Sequence, residues 1–225
     1  MLRANPQEFL SIIEETIITH KKCNYELYKR IFDVCFALFL LPFLLPLMAL
    51  IATLIKLDSN GPIFFAHRRI GKKGMPFDCL KFRTMVQNAD KLLNEVLLDK
   101  EAQKEWKKDF KLREDPRITR IGKLLRKSSL DELPQFFNVL NGNMSFVGPR
   151  PIVKDEVEKY GRDFTYYISA KPGITGLWQI SGRNDTLYSK RINLDKTYLL
   201  QQSISADLKI ILKTIPIIFS KKGAY

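Results

Sequence analysis

Charged residues punctuate this chain throughout, except between Asp33 and Lys56, where VCFALFLLPFLLPLMALIATLI runs for 22 residues without one. At about 1.5 Å of rise per residue, a helix of that length covers the roughly 30 Å hydrocarbon core of a bilayer. Both flanks are basic: Lys29 and Arg30 precede the block, and Lys56, Arg68, Arg69, Lys72 and Lys73 follow it. A spanning helix carries its Lys/Arg excess on the cytoplasmic side only. Two basic flanks therefore place both ends on that side. Pro42 and Pro46 lie near the middle, and proline removes a backbone donor and kinks a helix. The pattern predicts a re-entrant membrane helix over 29–57 that bends at its prolines and returns to the face it entered. A single straight span with residues 1–28 outside stays open, because prolines also occur in spanning helices. The late start, the length and the lack of a small-residue cleavage site argue against a signal peptide.

The remaining periodicities are shorter. Phe9, Ile12, Ile13 and Ile17 recur at helical spacing and predict a peripheral helix within 1–28. Strands are expected at 63–70 and 76–82, joined as a hairpin by the Gly71–Gly74 turn. Residues 86–110 predict one charged helix with Leu92, Leu93, Val96 and Leu97 inward. Asp115-Pro116 reads as an N-cap followed by proline at the first helical position. The helix it opens carries Ile118, Ile121, Leu124 and Leu125 on one face and five basic residues on the rest. That suits a helix lying among lipid headgroups, or an ordinary surface helix with a basic exterior. Near the C-terminus, Leu208, Ile211, Leu212 and Ile215 oppose Lys209 and Lys213 in the same way, with Ile217, Ile218 and Phe219 after Pro216. The expected fold is mainly α with one short β-hairpin, an α+β arrangement. It comprises the kinked membrane helix and a compact cytoplasmic domain over 58–225 with interfacial amphipathic helices.

Charge narrows the partners. The formal net charge is +13, which favours nucleic acid, anionic lipid headgroups or phosphorylated substrates. The membrane element favours headgroups and phosphates over nucleic acid. Cys23, Cys35 and Cys79 are odd in number and far apart, so they form neither a disulfide framework nor a metal pattern. With His20 and His67 as the two histidines, a zinc site or a Ser-His-Asp triad finds no support.

The densest polar cluster is RKSSLDELPQ, residues 126–135. Pro134 is tolerated only in a first helical turn, so a helix starts at or just before Asp131. Such a start is itself an anion site. Asp131 could simply be its N-cap, and Ser129 with Glu132 matches the S-x-x-E capping box. The chemical alternative is phosphoryl transfer: a carboxylate can attack phosphorus, a second can hold Mg²⁺, and arginines can clamp phosphate oxygens. Arg126 lies upstream, and Arg150 sits in the stiff Gly148-Pro149-Arg150-Pro151 turn. KPGITGLWQISGRND adds Gly173, Gly176 and Gly182, which allow close backbone approach to a ligand. It also adds Arg183 as a phosphate or nucleotide candidate, and Trp178 as a stacking or interfacial group. Each of these also has a purely structural explanation, as a turn, a solvated arginine or a core tryptophan.

In order along the chain, KRIFD before the apolar block, KFRTM, DPRITRIGKLLRKSSLDELPQFFNVLNGNMSFVGPRP and KPGITGLWQISGR strongly resemble the bacterial sugar transferases that act as monotopic polyprenyl-phosphate phosphoglycosyl transferases. The resemblance runs from about Tyr28 onward. It implies transfer of hexose 1-phosphate, galactose more than glucose, from a UDP-sugar to undecaprenyl phosphate with release of UMP. That step opens exopolysaccharide, capsule or O-antigen synthesis at the cytoplasmic face of the bacterial inner membrane. It implies Asp131 as the nucleophile of a covalent phosphosugar intermediate and Glu132 as the Mg²⁺ ligand. Arg126, Arg150 and Arg183 fall at phosphate- or nucleotide-binding positions, and Lys81, Arg83 and Asp195 at further motif positions. The implied partners are the two substrates and anionic lipids, without nucleic acid, and a homodimer is the candidate assembly. One departure concerns the helix break: where some members carry Ser-Pro, this chain has Leu45-Pro46 with an additional Pro42. Two other classes remain open beside this one. One is a non-catalytic basic membrane scaffold, and the other is a direct-displacement transferase without a covalent intermediate.

Overall fold

In the computed structural model, helix α1 (Pro6–Asp58) runs continuously through Pro42 and Pro46. Residues 6–109, 112, 114–182 and 186–219 are described, with backbone alone for 6–23, 107–109, 218 and 219. The side chains of the expected N-terminal amphipathic face, and those of Ile218 and Phe219, lie outside this description. Among the described residues no helix end separates 6–28 from 29–57. Between Pro6 and Pro42 the sequence holds neither glycine nor proline, so nothing there stops a helix. Each internal proline still forfeits the bond to the carbonyl four residues earlier. Asn24–Asp58 is long and apolar enough to cross a membrane.

The hairpin forms as expected. β1 (Phe64–Ile70) pairs antiparallel with β2 (Pro76–Phe82), from Phe64 opposite Phe82 to Ile70 opposite Pro76. The charged stretch makes two helices rather than one, α2 (Ala89–Val96) and α3 (Lys100–Asp109). The restart has a cause: Asp99 Oδ2 accepts from Ala102 N at 3.1 Å and caps α3. Helix α4 (Arg120–Ser128) begins later than Asp115-Pro116 implied. Thr119 is its cap, accepting from Gly122 N at 3.0 Å. Asp115 instead takes Arg117 N at 3.0 Å and the Arg117 guanidinium at 2.7 and 2.8 Å, so an ion-paired turn precedes the helix. The expected apolar face of α4 is divided, with Leu125 buried and Leu124 exposed.

The chain continues through α5 (Gln135–Leu140), β3 (Ser145–Val147), α6 (Val157–Tyr160), α7 (Phe164–Tyr167), β4 (Gly173–Thr175), α8 (Leu177–Ile180), α9 (Tyr188–Gln201) and α10 (Ile204–Phe219). β3 and β4 pair in parallel, Ser145 opposite Gly173 and Val147 opposite Thr175. Alternation did not signal this second sheet, because each strand is three residues long.

Helix α1 lies along the rest of the molecule by one face. Lys29 donates to Asp207 Oδ2 at 2.6 Å, and that buried carboxylate also takes the hydroxyls of Tyr25 at 2.9 Å and Tyr198 at 2.8 Å. Arg30 donates to the carbonyls of Val139 and Leu140 at 2.6 and 2.7 Å, tying α1 to the C-terminal end of α5. Asp33 Oδ1 accepts from Ser145 Oγ and Phe146 N, both at 3.0 Å. The KRIFD segment is thus a fastening for α1. Ala37 then joins the core of Phe77, Val139, Phe146 and Tyr198. Met48, Ile51 and Ile55 pack with Phe82 and Leu125. At the far end Asp58 Oδ2 accepts from Ile121 N at 3.0 Å. The opposite face leaves Leu38, Phe39, Phe43 and Leu50 exposed.

Candidate active site

Asp131 and Glu132 sit in a single 3-10 turn (Leu130–Glu132) between α4 and α5. Ser129, at φ +57°, closes α4 in the left-handed region and makes no side-chain cap. The capping box is therefore not formed, and Pro134, not Asp131, precedes the first residue of α5. A non-glycine residue in that conformation is uncommon and costs about 1–2 kcal/mol. Here it turns the two carboxylates toward β2.

Lys81, on β2, receives them. Its ammonium donates to Glu132 Oε1 at 2.6 Å and stands 3.8 Å from Asp131 Oδ2. Asn138 fixes the spacing between the elements: its Nδ2 donates to Asp78 O at 2.7 Å and its Oδ1 accepts from Leu80 N at 2.8 Å. A buried asparagine thus staples α5 to the strand that carries Lys81.

The two neighbouring carboxylates titrate apart. Burial pushes Asp131 above the ordinary aspartate value; Lys81 opposes this, Glu132 adds to it, and Arg126 opposes it. Burial would raise Glu132 as well, but Lys81, Arg150 and Arg69 outweigh it and hold the carboxyl at about 2. Adjacent acids driven in opposite directions by their surroundings are the arrangement that separates two chemical roles. Among the described residues no cluster of three or more His, Cys, Asp or Glu forms a metal cage. Mg²⁺ binds through one or two carboxylates together with waters and substrate phosphates, so the hard oxygens of this pair fit it.

Glu132 opens onto a cleft lined by Arg69, Cys79, Lys81, Gln135, Arg150, Pro151, Gly173, Ile174 and Gln179. Arg150 lies 5.6 Å over the Trp178 ring, and Arg191 lies 5.0 Å from the same ring. Trp178 is buried and donates to Thr186 Oγ1 at 3.0 Å, so it is held inside the protein. The glycines here serve backbone against backbone. A Cβ on Gly173 would meet Gly148 N at 2.1 Å, and one on Gly176 would meet Gly148 O at 2.2 Å. The Arg150 turn and the Gly173–Gly176 segment, β4 with the residue after it, are consequently in direct main-chain contact.

Of the residues singled out by sequence, Asp131, Glu132, Lys81 and Arg150 converge here. Arg126 lies alongside, donating to Thr84 Oγ1 at 2.9 Å. Arg83 does not join them. Its guanidinium is spent on Pro62 O, Ser59 Oγ, Ser59 O and Met85 O at 2.6–3.3 Å, which ties β2 to the end of α1. Asp195 is buried away from the cleft, accepting from Tyr160 at 2.8 Å with Arg191 Nε at 4.0 Å. Arg183 lies outside the described residues. Sequence reasoning missed Arg69, Gln135, Asn138 and Gln179. Strand alternation could have found Arg69: in β1 its side chain is 16 % exposed and that of Arg68 is 63 %, as expected of neighbours on opposite faces.

A family model described as bacterial sugar transferase matches residues 24–221. The chain is 49% identical over 198 residues to the exopolysaccharide production protein ExoY of Sinorhizobium fredii, covering 88% of each. It is 48% identical over 198 residues to the undecaprenyl-phosphate galactose phosphotransferase of Salmonella typhimurium, covering 88% of this chain but 41% of that protein. A lower identity, 38% over 208 residues, relates it to the UDP-glucose:undecaprenyl-phosphate glucose-1-phosphate transferase of Escherichia coli, covering 88% of this chain and 42% of that protein. The chain belongs to the bacterial sugar transferase family.

Proposed function

We propose that this bacterial sugar transferase moves hexose 1-phosphate, galactose 1-phosphate by preference, from a UDP-sugar to undecaprenyl phosphate and so opens the synthesis of an exopolysaccharide, capsule or O-antigen. The observation that carries the proposal is the Asp131–Glu132 pair held by Lys81 at the edge of an arginine-lined cleft. In the first step an Asp131 carboxylate oxygen attacks the sugar-linked phosphorus, the bridging P–O bond breaks, and UMP leaves with the bonding pair. In the second, an oxygen of the lipid phosphate attacks that phosphorus and the aspartyl P–O bond breaks, regenerating Asp131. Lys81, Arg150 and Arg69 supply the positive charge that a diphosphate needs. Mg²⁺ on Glu132 would contribute further neutralisation of phosphate oxygens.

The geometry of α1 supports a monotopic placement. Contacts at Lys29, Arg30 and Asp33, in the middle at Met48, and at Asp58 all go to the same body of chain. A helix fastened to that body along one face suits a placement on one side of the bilayer. Its outward Leu38, Phe39, Phe43 and Leu50, with Leu124 on α4 and Leu208, Leu212 and Ile215 on α10, offer apolar surface to one leaflet. Basic residues beside them suit anionic headgroups. The two galactose- and glucose-named relatives leave galactose the preferred donor on identity, with glucose the second reading.

Membranes containing the protein, given Mg²⁺, undecaprenyl phosphate and a panel of UDP-sugars, should release UMP fastest with UDP-galactose. Glu132→Gln should move the Mg²⁺ titration to at least tenfold higher concentration. No UMP from any UDP-sugar overturns the proposal.

A further inference from the structure

Beside the cleft lies a buried polar atom that the described residues leave unpaired. Gln179 is 8 % exposed and lines the cleft from α8. Its Oε1 finds no hydrogen-bond partner among the described residues. Buried polar groups are nearly always paired, so each exception calls for an explanation. Two donors beside it are engaged elsewhere, the Trp178 indole N–H with Thr186 and the Thr175 hydroxyl with Thr214 at 2.7 Å, while the buried Arg191 Nε, on the guanidinium 5.0 Å from the Trp178 ring, is also left without a hydrogen-bond partner among the described residues. Gly176 keeps the space beside this oxygen clear, since a Cβ there would come within 2.8 Å of it.

The other polar side chains of the cleft divide by chemistry. Arg69, Lys81 and Arg150 suit phosphate oxygens, and Glu132 suits a cation. An amide oxygen suits neither a phosphate nor a guanidinium already committed to one; it needs a donor. On a UDP-sugar the donors are the hydroxyls of the sugar and ribose and the N3–H of uracil.

We infer that Gln179 Oε1 accepts a hydrogen bond from a hydroxyl or N–H of the bound sugar nucleotide and is a specificity-determining residue of this cleft. The inference rests on the transferase function proposed above. A site built to pair a substrate donor rejects an analogue lacking it far more strongly than an apolar pocket rejects a missing methylene.

The test compares the solubilised full-length chain with its Gln179→Met and Gln179→Glu variants. Binding of UDP-galactose is titrated against its monodeoxy-sugar, 2′-deoxyuridine and N3-methyluridine counterparts, and thermal unfolding is followed without ligand. The wild type should bind one counterpart at least tenfold more weakly than UDP-galactose. Gln179→Met should bind both equally, at the weaker level, and unfold at the same or a higher temperature than wild type, since it removes an unpaired polar atom. Gln179→Glu, which keeps an acceptor there, should retain the ranking. A deoxy-sugar effect assigns the donor to the sugar; a uridine-analogue effect assigns it to ribose or base. Unchanged discrimination in Gln179→Met, or a lower unfolding temperature without ligand, overturns the assignment. UMP release by the wild type scores the transferase function separately. Intact release with unchanged discrimination fails Gln179 alone. Lost discrimination in Gln179→Met with no release by wild type upholds Gln179 and fails the transferase.

Discussion

Lys81 and Glu132 meet at 2.6 Å, joining β2 to the turn that carries both carboxylates, and the same ammonium reaches Asp131 at 3.8 Å. One cation thus orients two acids of different character. Lys81→Met should leave both carboxylates without their shared partner and lower UMP release about 10²–10³-fold, the scale of losing one preorganised charge. Lys81→Arg should recover part of that. Steady-state UMP release on membranes checks it, and a loss below threefold would remove Lys81 from the site.

The main-chain contact between Gly148 and Gly173 makes a second prediction. Gly173→Ala places a methyl 2.1 Å from Gly148 N and 2.4 Å from Thr175 O. Backbone cannot yield as a flexible side chain can, so overpacking of about 1–3 kcal/mol follows. The thermal midpoint should fall by roughly 3–10 °C for a chain of this size. Activity should fall with it, because the Arg150 turn moves. An unchanged midpoint would show that β4 and the Arg150 turn are not in contact.

Much of this architecture was legible in the residues. The hairpin follows from a glycine-bounded turn between two strand-length runs, and Lys81, Asp131, Glu132 and Arg150 all stand in sequence motifs of the family the chain resembles. What failed were the local capping rules. Asp115-Pro116 and Ser129-x-x-Glu132 both fit helix-start patterns. Yet Arg117 captures Asp115, and Lys81 captures Glu132 from a strand 51 positions away. Local side-chain preferences lose to a charged partner brought in by tertiary structure. Asn138 and Gln179 were invisible for the same reason: their meaning lies in what stands, or does not stand, across from them.

Asp195 gives the fold a pH signature. Burial pushes its carboxyl up to about 6, against about 3.9 in an unfolded chain. Between these values the folded protein holds a proton that the unfolded chain has released, so stability falls as pH rises through that window. Asp195→Asn removes the titration while leaving Tyr160 an acceptor. The stability of the variant relative to wild type should therefore grow by roughly 2–3 kcal/mol from pH 4 to pH 7. Denaturant unfolding at the two pH values checks it; an equal difference at both contradicts it.

The two ends of the apolar helix provide a topological prediction. Single cysteines at Asn24 and Asn60, both exposed, in a background lacking Cys23, Cys35 and Cys79, should react with an impermeant maleimide from the same, cytoplasmic side. Labelling from opposite sides would require a straight span and detach α1 from the contacts at one of its ends.

The proposed role of Asp131 is that of the nucleophile that attacks phosphorus. It is tested most directly by mixing the protein with UDP-galactose and Mg²⁺ in the absence of lipid acceptor, then measuring UMP and the intact protein mass. A burst of UMP of about one equivalent, a mass gain of one hexose phosphate located at Asp131, and neither in Asp131→Asn is the expected result. Normal UMP release by Asp131→Asn, or transfer to added undecaprenyl phosphate without any labelled protein, would contradict it.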